Sequence, residues 1–211
     1  MSAALTLPGM EAEARSRALS QLFTPVDLAA RIWEWSGAAR ASRPLRVLEP
    51  SCGSGNLIAG MLEAGVTPGH LLALDIDPRM VAFTVARFEA TGLRFGARCV
   101  DFLERDWELP AHRFDLAVMN PPYEGNQATA FCARALELCD RVIAILLADC
   151  FYTAGRLQFW REHAVHRRVN LSFRPKFGAE GGQINSVVLE LRKRRHVLEL
   201  GEPQTVHEEW W

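Results

Sequence analysis

Residues 45–63, Leu-Arg-Val-Leu-Glu-Pro-Ser-Cys-Gly-Ser-Gly-Asn-Leu-Ile-Ala-Gly-Met-Leu-Glu, decide the fold, because a strand, a glycine-bearing turn and a helix follow one another there. The apolar start predicts the strand, and the apolar positions from Leu57 onward predict the helix. Between them, Gly53 and Gly55 let the backbone approach a ligand, and the helix N-terminus offers free N–H groups. The spacing differs from the dinucleotide pattern G-x-G-x-x-G. The stretch therefore predicts either a ligand-binding turn or a tight connection without a ligand.

Strands and helices alternate along the rest of the chain. The predicted strands are 45–48, 70–74, 97–100, 114–119, 142–147, 168–173 and 185–192. The predicted helices are 26–39, 57–63, 79–91, 127–138 and 151–164, the first with Thr24 as N-cap and Pro25 at its first position. This alternation is typical of an α/β fold with a mostly parallel sheet and helices on both faces. We predict one domain at 21–195, after an N-terminal arm at 1–20 and before a tail at 196–211.

Acidic residues follow two of the predicted strands. In parallel sheets, ligands bind at the carboxyl ends of the strands. Asp75 ends the second strand about 20 residues beyond the glycines, which suits a carboxylate that holds ribose hydroxyls. Asp101 and Phe102 end the third strand, where a carboxylate could accept from an adenine amino group and an aromatic ring could cover the base. The alternative for Asp101 is an ordinary turn residue.

The fourth strand runs directly into Asn120-Pro121-Pro122-Tyr123. Each proline fixes its own φ and favours an extended residue before it, so the four residues form a stiff bracket. The bracket presents an amide, carbonyls outside the ladder and an aromatic face, which together suit a planar group with an exocyclic NH2. The alternative is a proline-rich turn of no special function.

Composition limits the function classes. With 49% hydrophobic and 23% charged residues, the 211-residue chain has the composition of a soluble globular protein. Its longest apolar run, 142–148, is too short to cross a bilayer, and its N-terminus lacks the features of a secretory signal. Five cysteines without a close metal-ligand pair predict reduced thiols and no metal site. These features predict a cytoplasmic protein.

The net charge of −1 hides a basic segment. Residues 156–195 contain ten Lys or Arg and three Asp or Glu, a balance of +7. Clustered basic residues indicate a polyanionic partner, with phosphates as the expected contacts. The alternative is a solvated helix face together with a charged strand end.

Taken together, these motifs resemble the S-adenosylmethionine-dependent amino methyltransferases, in the motif order of gamma-class DNA adenine-N6 enzymes, over about residues 20–192. The resemblance implies a Rossmann-like class I methyltransferase fold, with a seven-stranded, mostly parallel sheet whose last strand is antiparallel. It implies S-adenosyl-L-methionine as the cofactor. The cofactor-binding positions that it implies are Phe23, Thr24, Pro25, Glu49, Pro50, Ser51, Cys52, Gly53, Asp75, Ile76, Asp101, Phe102 and Asn120. The catalytic positions are Asn120, Pro121, Pro122 and Tyr123, with Tyr123 stacking on the substrate base. Phe177, in the loop before the last predicted strand, is the candidate for the opposite stacking face; the alternatives are Phe173 in that role, or both rings in the core.

The resemblance also sets the expected substrate. Gamma-class restriction enzymes carry a large target-recognition domain after the catalytic one, and these 211 residues contain none. We therefore expect transfer of a methyl group to adenine N6 in DNA with little sequence specificity. The same tetrapeptide occurs in RNA adenine methyltransferases and in protein glutamine-N5 methyltransferases, which remain the alternatives. Self-association and a separate recognition subunit also stay open.

Overall fold

The protein is described from a computed structural model that covers residues 23–105, 113–151, 159–160, 164–171, 175, 185–192 and 207–211. In these ranges four α-helices lie at α1 Val26–Ser36, α2 Asn56–Glu63, α3 Pro78–Phe88 and α4 Gln127–Leu138. Eight strands lie at β1 Arg46–Glu49, β2 His70–Asp75, β3 Phe95–Cys99, β4 Phe114–Met119, β5 Cys139–Leu147, β6 Ala164–Asn170, β7 Ser186–Arg192 and β8 His207–Trp210. No helix in this part of the chain is long and apolar enough to cross a membrane.

The eight strands form one sheet in the order β3-β2-β1-β4-β5-β7-β6-β8. The first five strands in that order, β3 to β5, are parallel to one another. Strand β7 is antiparallel to both β5 and β6. Helices α1 and α2 pack on one face of the sheet and α4 on the other. The predicted α/β class, the parallel sheet and the antiparallel strand at 185–192 are therefore confirmed.

The sheet has eight strands rather than seven, because residues 207–210 of the predicted tail pair in parallel with β6. The sequence gives no strand signal there, since the segment is short and contains two glutamates. Its position depends on tertiary contacts: the Trp211 N–H donates to the Asn170 carbonyl at 3.1 Å, and the Trp35 indole N–H donates to Glu209 at 2.8 Å. The Trp211 ring also packs edge-on against Trp35, at 6.1 Å between centroids. The described end of the tail, 207–211, thus docks on the sheet and on α1 of the same chain.

Three local predictions near helix ends were wrong. Thr24 does not cap α1; Pro25 occupies the N-cap position, and no side chain caps it. Helix α1 ends at Ser36 because Gly37 adopts a left-handed φ of 70°. Strand β6 begins at Ala164, which was predicted as the end of a helix. Most of that predicted helix, the N-terminal arm and Phe177 lie outside the described residues.

The glycine turn connects β1 to α2 and has a backbone that only glycine adopts easily. Gly53 and Gly55 have φ of +49° and +75°. A Cβ on Gly55 would come within 2.6 Å of the Phe88 ring of α3. The turn is also tied to the neighbouring strand, since the Cys52 N–H donates to the Leu74 carbonyl at 2.8 Å. The close packing of α3 therefore sets the shape of this turn.

A buried carboxylate ties the antiparallel end of the sheet to α1. Glu190 of β7 has no solvent exposure, and it pairs with Arg141 at 3.0 Å, with Arg192 at 3.0 Å and with Arg167. Arg141 and Arg167 also donate to the last carbonyls of α1, those of Ser36 and Trp35. Arg167 and Arg192 belong to the predicted phosphate-binding segment. Their guanidinium groups pair with the buried Glu190, so a structural role accounts for these two residues, and phosphate binding by the segment stays a prediction.

We predict that Glu190→Gln destabilises the protein strongly. Removing the carboxylate leaves the charges of Arg141, Arg167 and Arg192 without their buried counter-ion, a change that costs about 3–5 kcal/mol. Glu208→Gln is the matched control, since Glu208 is half exposed and its pair with Arg168 at 3.5 Å should contribute less than about 1 kcal/mol. Urea unfolding at neutral pH measures both. Equal free energies of unfolding for the two variants would contradict the role of Glu190.

The loss of stability in Glu190→Gln should depend on pH. Burial raises the pKa of Glu190, but the hydrogen bonds and charges of Arg141 and Arg167 outweigh burial and lower it to about 2, from an ordinary value of 4.5. A depressed carboxyl pKa adds stability above the unfolded-state value, and that stability is lost as pH falls through the folded-state value. The gap between wild type and Glu190→Gln should therefore be full above about pH 5 and shrink toward pH 2.

We predict that Gly55→Ala is more destabilising than Gly92→Ala. The two glycines have nearly the same φ, +75° and +73°, but among the described residues nothing lies within 4 Å of a Cβ at Gly92. Left-handed strain alone should cost about 1–2 kcal/mol at Gly92. The collision with Phe88 should add about 1–3 kcal/mol at Gly55. Urea unfolding of both variants tests this, and equal losses would show that α3 does not constrain the turn.

Candidate functional site

One pocket lies at the carboxyl ends of the parallel strands, where β1, β2, β3 and β4 end. Its lining comprises Phe23, Thr24, Glu49, Pro50, Ser51, Cys52, Gly53, Ser54, Asn56, Leu57, Asp75, Ile76, Val100, Asp101, Phe102, Asn120, Pro121, Pro122 and Phe131. Every predicted cofactor-binding position except Pro25 is in this lining. Ser54, Asn56, Leu57, Val100 and Phe131 were not predicted as site residues. Ser54 belongs to the glycine turn, and Asn56 and Leu57 begin α2 directly after it, so the predicted turn and helix start were the signal for these three.

The Asp75 carboxylate lines the pocket and binds two backbone N–H groups. Its Oδ2 accepts from the Gly53 N–H at 2.8 Å, and its Oδ1 accepts from the Asp77 N–H at 2.9 Å. Burial raises the pKa of Asp75, and these two N–H groups act against that rise. Each carboxylate oxygen still has a second lone pair for a hydroxyl donor. The side chain thus shapes the glycine turn and can also bind a ligand.

Glu49, at the end of β1, is the least satisfied charged group of the pocket wall. Only 3% of its surface is exposed, and no group of the described residues forms a hydrogen bond with its carboxyl. Burial raises the pKa of Glu49 well above its usual range, and the negative charge of Asp75 raises it further. A buried carboxyl of this kind is stabilised as a carboxylate when a cation binds beside it.

The positions predicted to surround an adenine ring differ in exposure. Ile76 is 58% exposed at the pocket wall, so its side chain can cover a flat ligand. Phe102 is 2% exposed and packs against Phe131 at 5.1 Å between ring centroids, so it is part of the core as well as of the lining. Asp101 accepts from the Leu103 N–H at 2.9 Å through Oδ1. Asp101 is therefore a turn residue, and its second oxygen carries no hydrogen bond among the described residues.

The Asn120 amide is held at both ends. Its Nδ2 donates to the Thr24 hydroxyl at 3.1 Å, and its Oδ1 accepts from the Tyr123 hydroxyl. Its backbone carbonyl accepts from the Ser51 hydroxyl at 3.1 Å. The amide therefore lies on the pocket wall with its oxygen directed toward Tyr123.

Tyr123 does not line the main pocket. Its ring borders a smaller neighbouring cavity with Leu146, Cys150 and Trp160, and its hydroxyl also lies 3.3 Å from the Ile145 carbonyl. Burial raises the pKa of Tyr123 above its ordinary value, so its hydroxyl stays protonated as a donor. In this conformation the ring faces the cavity, and stacking on a substrate requires the side chain to turn outward.

The described residues hold no cluster of three or more His, Cys, Asp or Glu that could bind a metal ion. Of the five cysteines, Cys99 is exposed and the others are buried. Burial raises the pKa of Cys52, Cys132 and Cys139, which keeps these thiols protonated and unreactive.

Part of the chain resembles known proteins in sequence. Residues 47–144, which include the glycine turn, Asp75 and the 120–123 bracket, match the family model described as a methyltransferase domain. A Type II methyltransferase of Thermus thermophilus is 33% identical over 116 residues, which are 55% of this chain and 24% of that protein. The chain thus spans about a quarter of the length of this curated relative.

Two solved structures share the architecture at low identity. The methyltransferase subunit of a type I restriction-modification system from Streptococcus thermophilus is 15% identical with a TM-score of 0.72, over 100% of this chain and 53% of that chain. Magnesium protoporphyrin IX methyltransferase from Synechocystis, solved with bound SAH, is 13% identical with a TM-score of 0.58, over 91% and 90%. At these identities the likeness establishes the fold alone. The protein has the Rossmann-like class I methyltransferase fold, and its residues 47–144 match the methyltransferase domain.

Proposed function

We propose that the protein is an S-adenosylmethionine-dependent methyltransferase that methylates the exocyclic N6 amino group of adenine in DNA with little sequence specificity. One observation supports this above all: Asn120, Pro121 and Pro122 line the same pocket as the glycine turn. The acceptor groups for a planar amine thus lie beside the groups that suit a nucleoside cofactor.

The pocket suits S-adenosyl-L-methionine group by group. Glu49 lines the pocket, and its carboxyl is suited to the ammonium of the methionine part. Asp75 has free lone pairs for ribose hydroxyls, while Ile76 and the second oxygen of Asp101 suit the face and the amino group of the base. The cofactor supplies an electrophilic methyl group on a sulfonium sulfur.

The 120–123 bracket acts on the acceptor amine. An aromatic amine is a weak nucleophile because its lone pair is shared with the ring. The Asn120 side-chain oxygen and the Pro121 carbonyl accept its two N–H groups, which favours a more pyramidal nitrogen and stabilises the developing positive charge. The Tyr123 hydroxyl leaves the Asn120 oxygen when the amine binds. Its ring then stacks on the base and orients it.

Two relatives support our choice of DNA as the acceptor: the Type II methyltransferase and the methyltransferase subunit of a type I restriction-modification system. RNA stays the alternative, since a 23S rRNA methyltransferase shares the fold. A base in a duplex must leave the stack to reach the pocket, at a cost of a few kcal/mol. Within the basic segment, Arg167 and Arg192 pair with Glu190. The proposed phosphate contacts are the other basic residues: Arg156, Arg161, Arg168, Arg174, Lys176 and those at 193–195. A cytoplasmic location and self-association or a separate recognition subunit belong to the same proposal.

The test of the acceptor is transfer of labelled methyl groups to double-stranded DNA, structured RNA and a peptide mixture in parallel, followed by digestion to nucleosides or amino acids. We expect N6-methyladenine in DNA, spread over many sequence contexts. Label in RNA or peptide alone would contradict DNA as the acceptor. Label in no acceptor, with measurable cofactor binding, would contradict the isolated chain as an active enzyme.

We predict that Asn120→Ala lowers kcat by about 100-fold or more, since removing one preorganised group at a developing charge costs that much. Cofactor affinity should change by less than about threefold, because one hydrogen-bonding group of many is removed. Asn126→Ala is the control, as Asn126 borders the smaller cavity and its side chain caps no helix. Turnover by Asn120→Ala equal to that of Asn126→Ala would exclude Asn120 from the chemistry.

We predict that Glu49 makes cofactor binding pH-dependent. Because its pKa is raised in the free protein and a bound ammonium favours the carboxylate, affinity should fall as pH drops below that raised pKa, by up to about tenfold per pH unit. Titration calorimetry with S-adenosylhomocysteine from pH 8 down to pH 5 measures this. Glu49→Gln should bind weakly with a flat profile. If the affinity of Glu49→Gln changed with pH as steeply as that of wild type, the pH dependence would belong to another group.

A further inference from the structure

A single hydroxyl connects the start of the domain to the 120–123 bracket. Thr24 lies two residues before α1 and 96 residues before Asn120, yet its Oγ1 accepts the Asn120 Nδ2 hydrogen bond at 3.1 Å. Thr24 is 3% exposed and lines the main pocket. The contact therefore lies on the wall where the proposed chemistry takes place.

An amide needs such a partner because its two ends differ chemically. Oδ1 can accept a hydrogen bond from an amine N–H. Nδ2 is itself a donor, so it cannot accept that hydrogen bond if the amide is turned the other way. The Tyr123 hydroxyl does not decide the orientation, since it can donate to Oδ1 or accept from Nδ2 while donating to the Ile145 carbonyl. The Ser51 hydroxyl holds only the backbone carbonyl of Asn120.

Thr24 is itself held firmly. Its carbonyl accepts from the Asn56 side-chain amide at 2.8 Å, and the oxygen of that amide accepts from Arg87 at 2.8 Å. Because Thr24 lines the pocket, its hydroxyl can donate its own hydrogen to an acceptor bound there. A hydroxyl that donates into the pocket offers its lone pair to Nδ2, which directs Oδ1 toward the substrate.

We propose that Thr24 is a positioning residue for the transfer step: its hydroxyl fixes the Asn120 amide with the oxygen toward the acceptor amine. This inference rests on the proposed function and adds a residue outside the tetrapeptide to the groups that control it. Thr24 acts through Asn120 and does not touch the reacting nitrogen.

The test compares Thr24→Val, which keeps the shape without the hydroxyl, with Thr24→Ser, which keeps the hydroxyl. With cofactor and acceptor saturating, we expect Thr24→Val to lower kcat by about 10- to 100-fold, the rate equivalent of one lost buried hydrogen bond. We expect Thr24→Ser to stay within about threefold of wild type, as its hydroxyl is retained. Val and Ser variants with equal kcat would overturn the proposal.

A double-mutant cycle separates positioning from a general structural role. In an Asn120→Ala background, Thr24→Val should lower kcat no further, because the amide that it positions is gone. A further loss equal to that in the wild-type background would assign Thr24 to the structure of the pocket and overturn the proposal.

A spectroscopic readout keeps this inference distinguishable from the proposed function. The side-chain amide signals of Asn120 are identified in the ¹⁵N-correlation spectrum as those missing in Asn120→Ala. We expect these signals to shift in Thr24→Val but to stay near their wild-type positions in Thr24→Ser. This outcome supports the positioning role even if no acceptor is methylated. Unshifted signals in Thr24→Val would overturn the positioning role even if DNA is methylated.

Discussion

The hydrogen bond between the buried Asp75 carboxylate and the Gly53 N–H is the contact on which the site depends. It joins the end of β2 to the turn after β1, so two adjacent strand ends move as one unit. Gly53 and Gly55 adopt left-handed φ values in this turn, where Gly53 lies against the Phe23 ring and Gly55 against the Phe88 ring. The pocket wall is thus part of the folded core, which preorganises it before any ligand binds.

The two halves of the sheet each contain a buried glutamate, and the charges around these two glutamates differ. On the antiparallel side, Glu190 is surrounded by three guanidinium groups, and its pKa is lowered to about 2. In the pocket, Glu49 lies beside another carboxylate and lacks a cationic partner among the described residues, so burial raises its pKa. The first arrangement stabilises the fold without a ligand. The second leaves a charge unsatisfied, which is the state expected of a group that binds a cation.

In the proposed reaction, an existing hydrogen bond of Tyr123 would have to break before the amine binds. The Tyr123 hydroxyl donates a hydrogen bond to the Asn120 side-chain oxygen, and Tyr123 borders the smaller cavity together with Trp160. An incoming N–H would replace a hydrogen bond that already exists, so the net gain from that exchange is small. Under the proposed function, the binding energy would therefore come from stacking of the released ring and from contacts elsewhere on the substrate.

The sequence by itself determined the features that depend on neighbouring residues. Alternation of apolar runs predicted the parallel sheet, helix α4 was predicted at its observed limits, and the glycine turn, Asp75 and the 120–123 bracket were predicted at strand ends. These features follow from local periodicity, glycine conformation and proline stiffness.

Tertiary structure alone decided the contacts between distant segments. The Thr24 hydroxyl was predicted as a helix cap and instead meets Asn120, because the packing of α1 brings residues 96 positions apart together. Strand β8 forms through pairing with β6 and contacts with Trp35, without a propensity of its own. Arg167 and Arg192 looked like surface charges, yet the register of β5, β6 and β7 places them around Glu190. No local pattern encodes such contacts, since side-chain partners are set by how the elements pack.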